Sequence, residues 1–216
     1  MADVVVEPSG LAPFALVREV RRMVGPAVCA VEGHFGVPMP PVTVVVAART
    51  GLATSSLLAA GWRRGSVKAR VGYWRSSFVE AGVVQGITVV TRTDRVLVGL
   101  NWRALKRLSK DLLYSVLVHE LTHAMQADRP GRREERRSLV DCELGLEKHP
   151  MGQVLALSAI NALDEAEAYA VEHALCPGSD RIDEYEAGPF DVAAMAEQLD
   201  ESVKAWTAAA LSYQTA

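Results

Sequence analysis

Apolar residues at Leu16, Val17, Val20, Val24, Val28 and Val31 recur every three or four positions, which predicts a helix across residues 11–35, with Pro26 as a break or kink near its middle. Pro38, Pro40 and Pro41 then open onto VTVVVAA (42–48), a β-branched run that reads as a buried strand. A connection rich in Gly, Ser and Ala follows without a clear period. Four short pieces punctuated by glycine come next and read as strands: SVKARVGYW (66–74), FVEAGVV (78–84), GITVV (86–90) and DRVLVGL (94–100). Thr91-Arg92-Thr93-Asp94 is a turn that joins the last two as a hairpin.

After Asn101 the period lengthens from two residues towards the helical value and stays there to the end of the chain. Asn101 and Ser109 are both N-cap candidates for the helix that follows, and Arg129-Pro130-Gly131 must end it near Asp128. The charged stretch 132–148 reads as a short helix or a flap. Residues 151–175 read as a long helix closed by Pro177-Gly178, and 189–213 as a last amphipathic helix. The stripe Val192, Met195, Leu199, Val203, Trp206 and Ala210 on that last helix reads as intramolecular core, with a dimerisation face as the alternative. A mixed sheet first and helices after predicts an α+β fold in one domain, residues 1–100 giving helix and sheet and 101–216 the helical part.

Composition narrows the class. Of 216 residues, half are hydrophobic and 23% charged, which is globular rather than disordered, and the formal net charge of −3 argues against a nucleic-acid partner. The basic groups Arg18, Arg21, Arg22 and Arg132, Arg133, Arg136, Arg137 read as solvated helix faces. Cys29, Cys142 and Cys176 are odd in number and far apart, so neither a disulfide framework nor a thiolate metal knuckle is expected. No signal pattern opens the chain and no apolar run reaches membrane-spanning length, which makes a cytoplasmic setting without a membrane partner the expectation.

SVLVHELTHAMQAD (115–128) carries the chemistry. Residues four apart on a helix project from one face, so His119 and His123 can meet one metal ion, at the roughly 2.0–2.1 Å that zinc takes from imidazole. Glu120 points about 100° away. That direction suits a general base acting on a metal-activated water rather than a third ligand. Val116, Leu117, Val118, Leu121 and Met125 give the triplet a dry and rigid surround. The competing reading is a core helix whose histidines are satisfied by hydrogen bonds, but with only five histidines in the chain this arrangement would arise by chance in about one chain of this size in a hundred.

HELTH resembles the HExxH signature of the zincin metallopeptidases. The resemblance implies a twisted sheet packed on the active-site helix, with an edge strand that holds extended peptide antiparallel to itself; DRVLVGL is the strand expected to be that edge. The longer metzincin pattern is not followed, since Gln126 and Arg129 stand where its glycine and third histidine would be. Asp164-Glu165-Ala166-Glu167-Ala168-Tyr169 resembles the second motif of the gluzincins, which implies Glu165 as third ligand. Glu167, Glu172, Glu143, Asp141 and His149 stay open as alternatives. Tyr169 and His173, one and two turns beyond Glu165, are candidates to stabilise an oxyanion.

The expectation from motif and resemblance together is a peptidase of narrow specificity. It uses one zinc ion per chain held by His119, His123 and Glu165, with Glu120 as base and a peptide or protein as substrate. The alternative is a zincin-like module that binds peptide without cutting it.

Overall fold

The computed structural model describes residues 3–61, 63–148 and 150–178. Strands β1 (Val4–Pro8), β2 (Val42–Ala47), β3 (Gly86–Val90) and β4 (Val96–Asn101) form one sheet in the order β1-β2-β4-β3. β1 and β4 flank β2 in parallel, and β3 runs antiparallel to β4. The fold is therefore α+β with a small mixed sheet. The hairpin at 86–101 forms as its turn predicts, with Val90 opposite Val96.

Helices cover both faces of the sheet. α1 (Phe14–Phe35), α5 (Lys110–Ala127) and α7 (Met151–Leu175) gather on one side, where Val42, Val44, Val46, Val98 and Leu100 meet Val20, Val28, Leu117 and Leu121. α2 (Arg49–Ala60) and α3 (Val67–Val83) cover the other side, where Val45, Leu97 and Ile87 meet Leu52 and Ala81. Burial on two faces explains why β2 carries three valines in a row, Val44–Val46, rather than an apolar-polar alternation. α1 continues through Pro26 without a break and stops at Gly36, whose φ of 68° gives the left-handed turn that ends it.

Three expectations are corrected. Residues 66–74 and 78–84 are not strands but parts of the one helix α3, started by Ser66, whose hydroxyl accepts from the Ala69 N–H at 3.1 Å. Its buried face is Tyr73, Ser77 and Ala81, spaced four apart, while Val67, Val71 and Val79 are exposed. The β-branched residues that suggest strand thus lie on the solvent side. The sheet is also not laid down ahead of the helices: β1, which the sequence did not signal, pairs with β2 across α1. Finally, DRVLVGL is an interior strand, and GITVV is the edge strand beside it.

The helices around the motif follow their signals. Asn101 caps the short α4 (Trp102–Leu105), and Ser109 caps α5 by accepting from Leu112 N–H at 3.2 Å. α5 ends at Asp128. The segment after it forms α6 (Arg132–Glu143), and its arginines are ties rather than a solvated face. Arg133 and Arg137 donate to the carbonyls of Asp94, Thr91 and Thr93 in the β3–β4 turn, and Arg132 and Arg136 grip Asp164 of α7. The helix expected at 189–213 lies outside the described residues. No helix among the described residues is long and apolar enough to cross a membrane.

Candidate metal centre

α5 is buried on almost every side from Ser115 to Ala127, because α1, the sheet and α7 all pack on it. Polar groups in such a helix need partners, since a buried group without one costs about 1–3 kcal/mol. His119, Glu120 and His123 are each less than a tenth exposed. The two imidazoles point to one place, with Nε2 atoms 3.2 Å apart. Glu165 arrives from α7, its carboxylate oxygens 3.4 Å from His119 Nε2 and 3.2 Å from His123 Nε2. Three donors held about 2.0–2.1 Å from a tetrahedral ion stand about 3.3–3.4 Å from one another. The Nε2–Nε2 spacing is close to that figure, and Glu165 offers a different oxygen to each imidazole at a similar distance, so the donor set suits a zinc-sized ion in its chemistry and brings three donors within 4.8 Å of one another.

A second layer fixes each ring. His119 Nδ1 lies 3.1 Å from one oxygen of Glu172, whose other oxygen accepts from Ser115 Oγ at 2.7 Å. His123 Nδ1 lies 2.7 Å from Gln126 Oε1, and the Gln126 amide donates to the Asp164 carbonyl and to Glu167. Both rings are thereby turned so that Nε2 faces the centre. Partners of this kind orient metal ligands and raise their basicity. Glu172 is 3% exposed, so its charge depends on these contacts.

The electrostatics favour positive charge at the centre. Burial alone would lower the pKa of His119, but its bonds to Glu165 and Glu172 and the nearby Glu120 outweigh that and raise it to about 9. Burial would raise Glu165, yet His119 and His123 hold it well below the usual carboxylate range. An ion bound there would compete with the proton that His119 holds more tightly than an ordinary imidazole does.

Glu120 lies beside the centre rather than in it. Thr88 of β3 donates to Glu120 Oε2 at 2.8 Å, and to its backbone carbonyl at 3.2 Å. Gly86 lies directly under the carboxylate: a Cβ there would sit 2.5 Å from Oε1, so only glycine lets strand and side chain approach. The edge strand, His119, Glu120, His123, Glu165 and Tyr169 line one cavity of about 460 Å³. The Tyr169 ring packs on His119 with centroids 4.6 Å apart.

Of the residues singled out from sequence, His119, His123 and Glu165 converge, and Glu120 and Tyr169 line the same cavity. His173 is exposed on α7 and does not line it. Glu172 and Glu167 belong to the second layer, and Asp141 is occupied by Arg64 and Arg92. His149 and the side chain of Glu143 lie outside the described residues. Sequence reasoning missed Thr88, Gly86 and Gln126. Of these, Gln126 alone carried a signal, three residues after His123 on the same helix. No family model matches the chain, and neither a curated protein nor a solved structure is similar to it.

Proposed function

We propose that the protein is a zinc-dependent peptidase that hydrolyses a peptide bond with Glu120 as general base. The observation that carries this reading is the juxtaposition of a converging His-His-Glu donor set with a buried carboxylate that is not one of the donors but shares their cavity. A structural ion needs no such base. The HExxH spacing, which resembles that of the zincins, supports the same reading, as does the position of β3 as the edge strand along the cavity.

A bound zinc ion would supply Lewis acidity and bring the pKa of a water down towards about 7. The remaining work falls to the chain's own residues. Glu120 takes a proton from the attacking water as its oxygen bonds to the carbonyl carbon, then passes that proton to the amine nitrogen as the C–N bond breaks. Thr88 and Gly86 hold the carboxylate at the edge of the sheet, where the free backbone of β3 can align a peptide. Tyr169 is the hydroxyl suited to the carbonyl oxygen as charge grows on it. The ties from α6 keep the cavity wall in place.

The test is zinc content and peptide hydrolysis in three chains side by side. The parent should hold about one zinc and cut peptides from a mixed library. Glu120→Gln should keep its zinc and lose at least 100-fold in rate. Glu165→Ala should lose most of its zinc. A parent without zinc, or a Glu120→Gln chain that cuts as fast as the parent, removes the reading.

A further inference from the structure

The cavity has a second wall that the hydrolytic machinery does not use. It is built by α2 and α3, and its polar groups are Ser56, the hydroxyls of Tyr73 and Ser77, Glu80 and, just before β3, Gln85. Ser56 is 1% exposed and its hydroxyl has no hydrogen-bond partner. The Gln85 side-chain oxygen is likewise buried without a partner. Glu80 lines the same cavity from α3 with its side chain partly open to solvent, and partial burial, then Glu120 and Glu165, raise its pKa above the ordinary carboxylate value. Among the described residues no basic side chain pairs with it. Arg136, the one arginine on the cavity wall, is bound to Asp164 at 2.9 Å.

What such a wall would accept follows from its chemistry. A carboxylate, an amide oxygen and a hydroxyl all offer lone pairs. A buried acceptor without a partner is rare and costly, so a ligand that satisfies the Gln85 oxygen must bring a hydrogen-bond donor, and the Ser56 hydroxyl can accept from the same group. Ammonium and guanidinium groups are donors only, and they carry the charge that Glu80 lacks opposite it. An anionic group placed there would meet Glu80, Glu120 and Glu165 together.

We infer that the α2–α3 wall is a specificity subsite for a cationic group of the peptide substrate, with Glu80 as its charged partner and Ser56 and Gln85 as further acceptors. The inference rests on the peptidase reading in that one cavity holds both the peptide and the metal. A lysine or arginine side chain and a free amino terminus share the required chemistry.

The experiment measures binding, so that it does not depend on turnover. Zinc-loaded Glu120→Gln protein is titrated calorimetrically with alanine-rich nonapeptides. One set is blocked at both ends with lysine, norleucine or glutamate at the centre; one further peptide has norleucine and a free amino terminus. A cationic peptide, with lysine or a free amino terminus, should bind about fivefold tighter than blocked norleucine, a modest factor because Glu80 keeps contact with solvent. The arm in which the preference appears tells side chain from terminus. Adding Glu80→Gln should reduce the ratio to about one with zinc retained, and Glu80→Lys should favour the glutamate peptide. Equal binding of all peptides, binding of none, or a preference that survives Glu80→Gln overturns the subsite. Cleavage by the parent is scored separately: a charge preference without any cleavage keeps the subsite and removes the peptidase reading.

Discussion

The two walls of the cavity treat their polar atoms in opposite ways. On the α5–α7 wall, buried side chains are satisfied in chains of two or three bonds: Ser115 to Glu172 to His119, and Glu167 to Gln126 to His123. On the α2–α3 wall, Ser56 and Gln85 keep unused acceptors and Glu80 has no counter-ion among the described residues. A closed network fixes rings to within a fraction of an ångström and leaves nothing for a ligand to add. An open set of acceptors positions little on its own and leaves binding capacity. The first wall suits an ion with strict geometry, and the second suits a flexible chain whose side groups vary.

The contrast can be broken most strongly at Glu172. Its replacement by Ala removes the partner of His119 Nδ1, and zinc affinity, measured by competition with a chelator, should fall about 10- to 100-fold. Glu172→Gln, which keeps a hydrogen-bonding oxygen, should recover part of that loss. Equal affinity in all three chains would show that the network has no hold on the ion.

A pH series sharpens the same point. The folded pKa of His119, about 9, lies above its ordinary 6.5. In the zinc-free protein its protonated form therefore contributes stability that is complete below about pH 6.5 and lost as pH rises through about 9. Glu165 is shifted down, so its contribution is present above the ordinary carboxylate range and lost only in acid. Thermal stability of the zinc-free chain should thus fall between pH 6.5 and 9. Zinc affinity should move the other way, rising about tenfold per pH unit over that window as the proton is displaced. A flat affinity profile would mean that His119 holds no proton for the ion to displace.

The smallest effect belongs to the open wall. Ser56→Ala removes a hydroxyl that bonds nothing in the free protein, so its melting temperature should stay within about a degree or two of the parent or rise slightly. A clear loss of stability would give Ser56 a partner and take it out of the proposed subsite.

How far the sequence revealed this arrangement depended on where the signal sat. HELTH was legible because its apolar setting, the Ser109 cap and the Arg129-Pro130-Gly131 stop agree on one helix. Glu165 was legible through its motif-like setting and its place on a periodic helix. α3 was not, because its buried stripe is Tyr73, Ser77 and Ala81 while its valines face water, so hydrophobicity pointed to the wrong side. β1 is five residues long and lies at the edge of the sheet, too short for a period to register. The α6 arginines carry no apolar signal at all. Arg133 and Arg137 reach backbone carbonyls 39 to 46 residues away, and Arg132 and Arg136 reach Asp164 32 and 28 residues away, contacts that no local spacing encodes.

Asp164 has a consequence for timing as well as for shape. It accepts from Arg132 and Arg136 of α6 and directly precedes Glu165 in the chain. If the site holds an ion, its departure would require the Glu165 carboxylate to swing away, and the helical turn that carries it is anchored through its neighbour to α6, which is in turn anchored to the β3–β4 turn. Affinity would then follow from the donors, and residence time from how often that anchorage lets go. Hydrogen exchange of the amides in the turn around Glu165 should therefore keep pace with zinc exit, both governed by the same local opening.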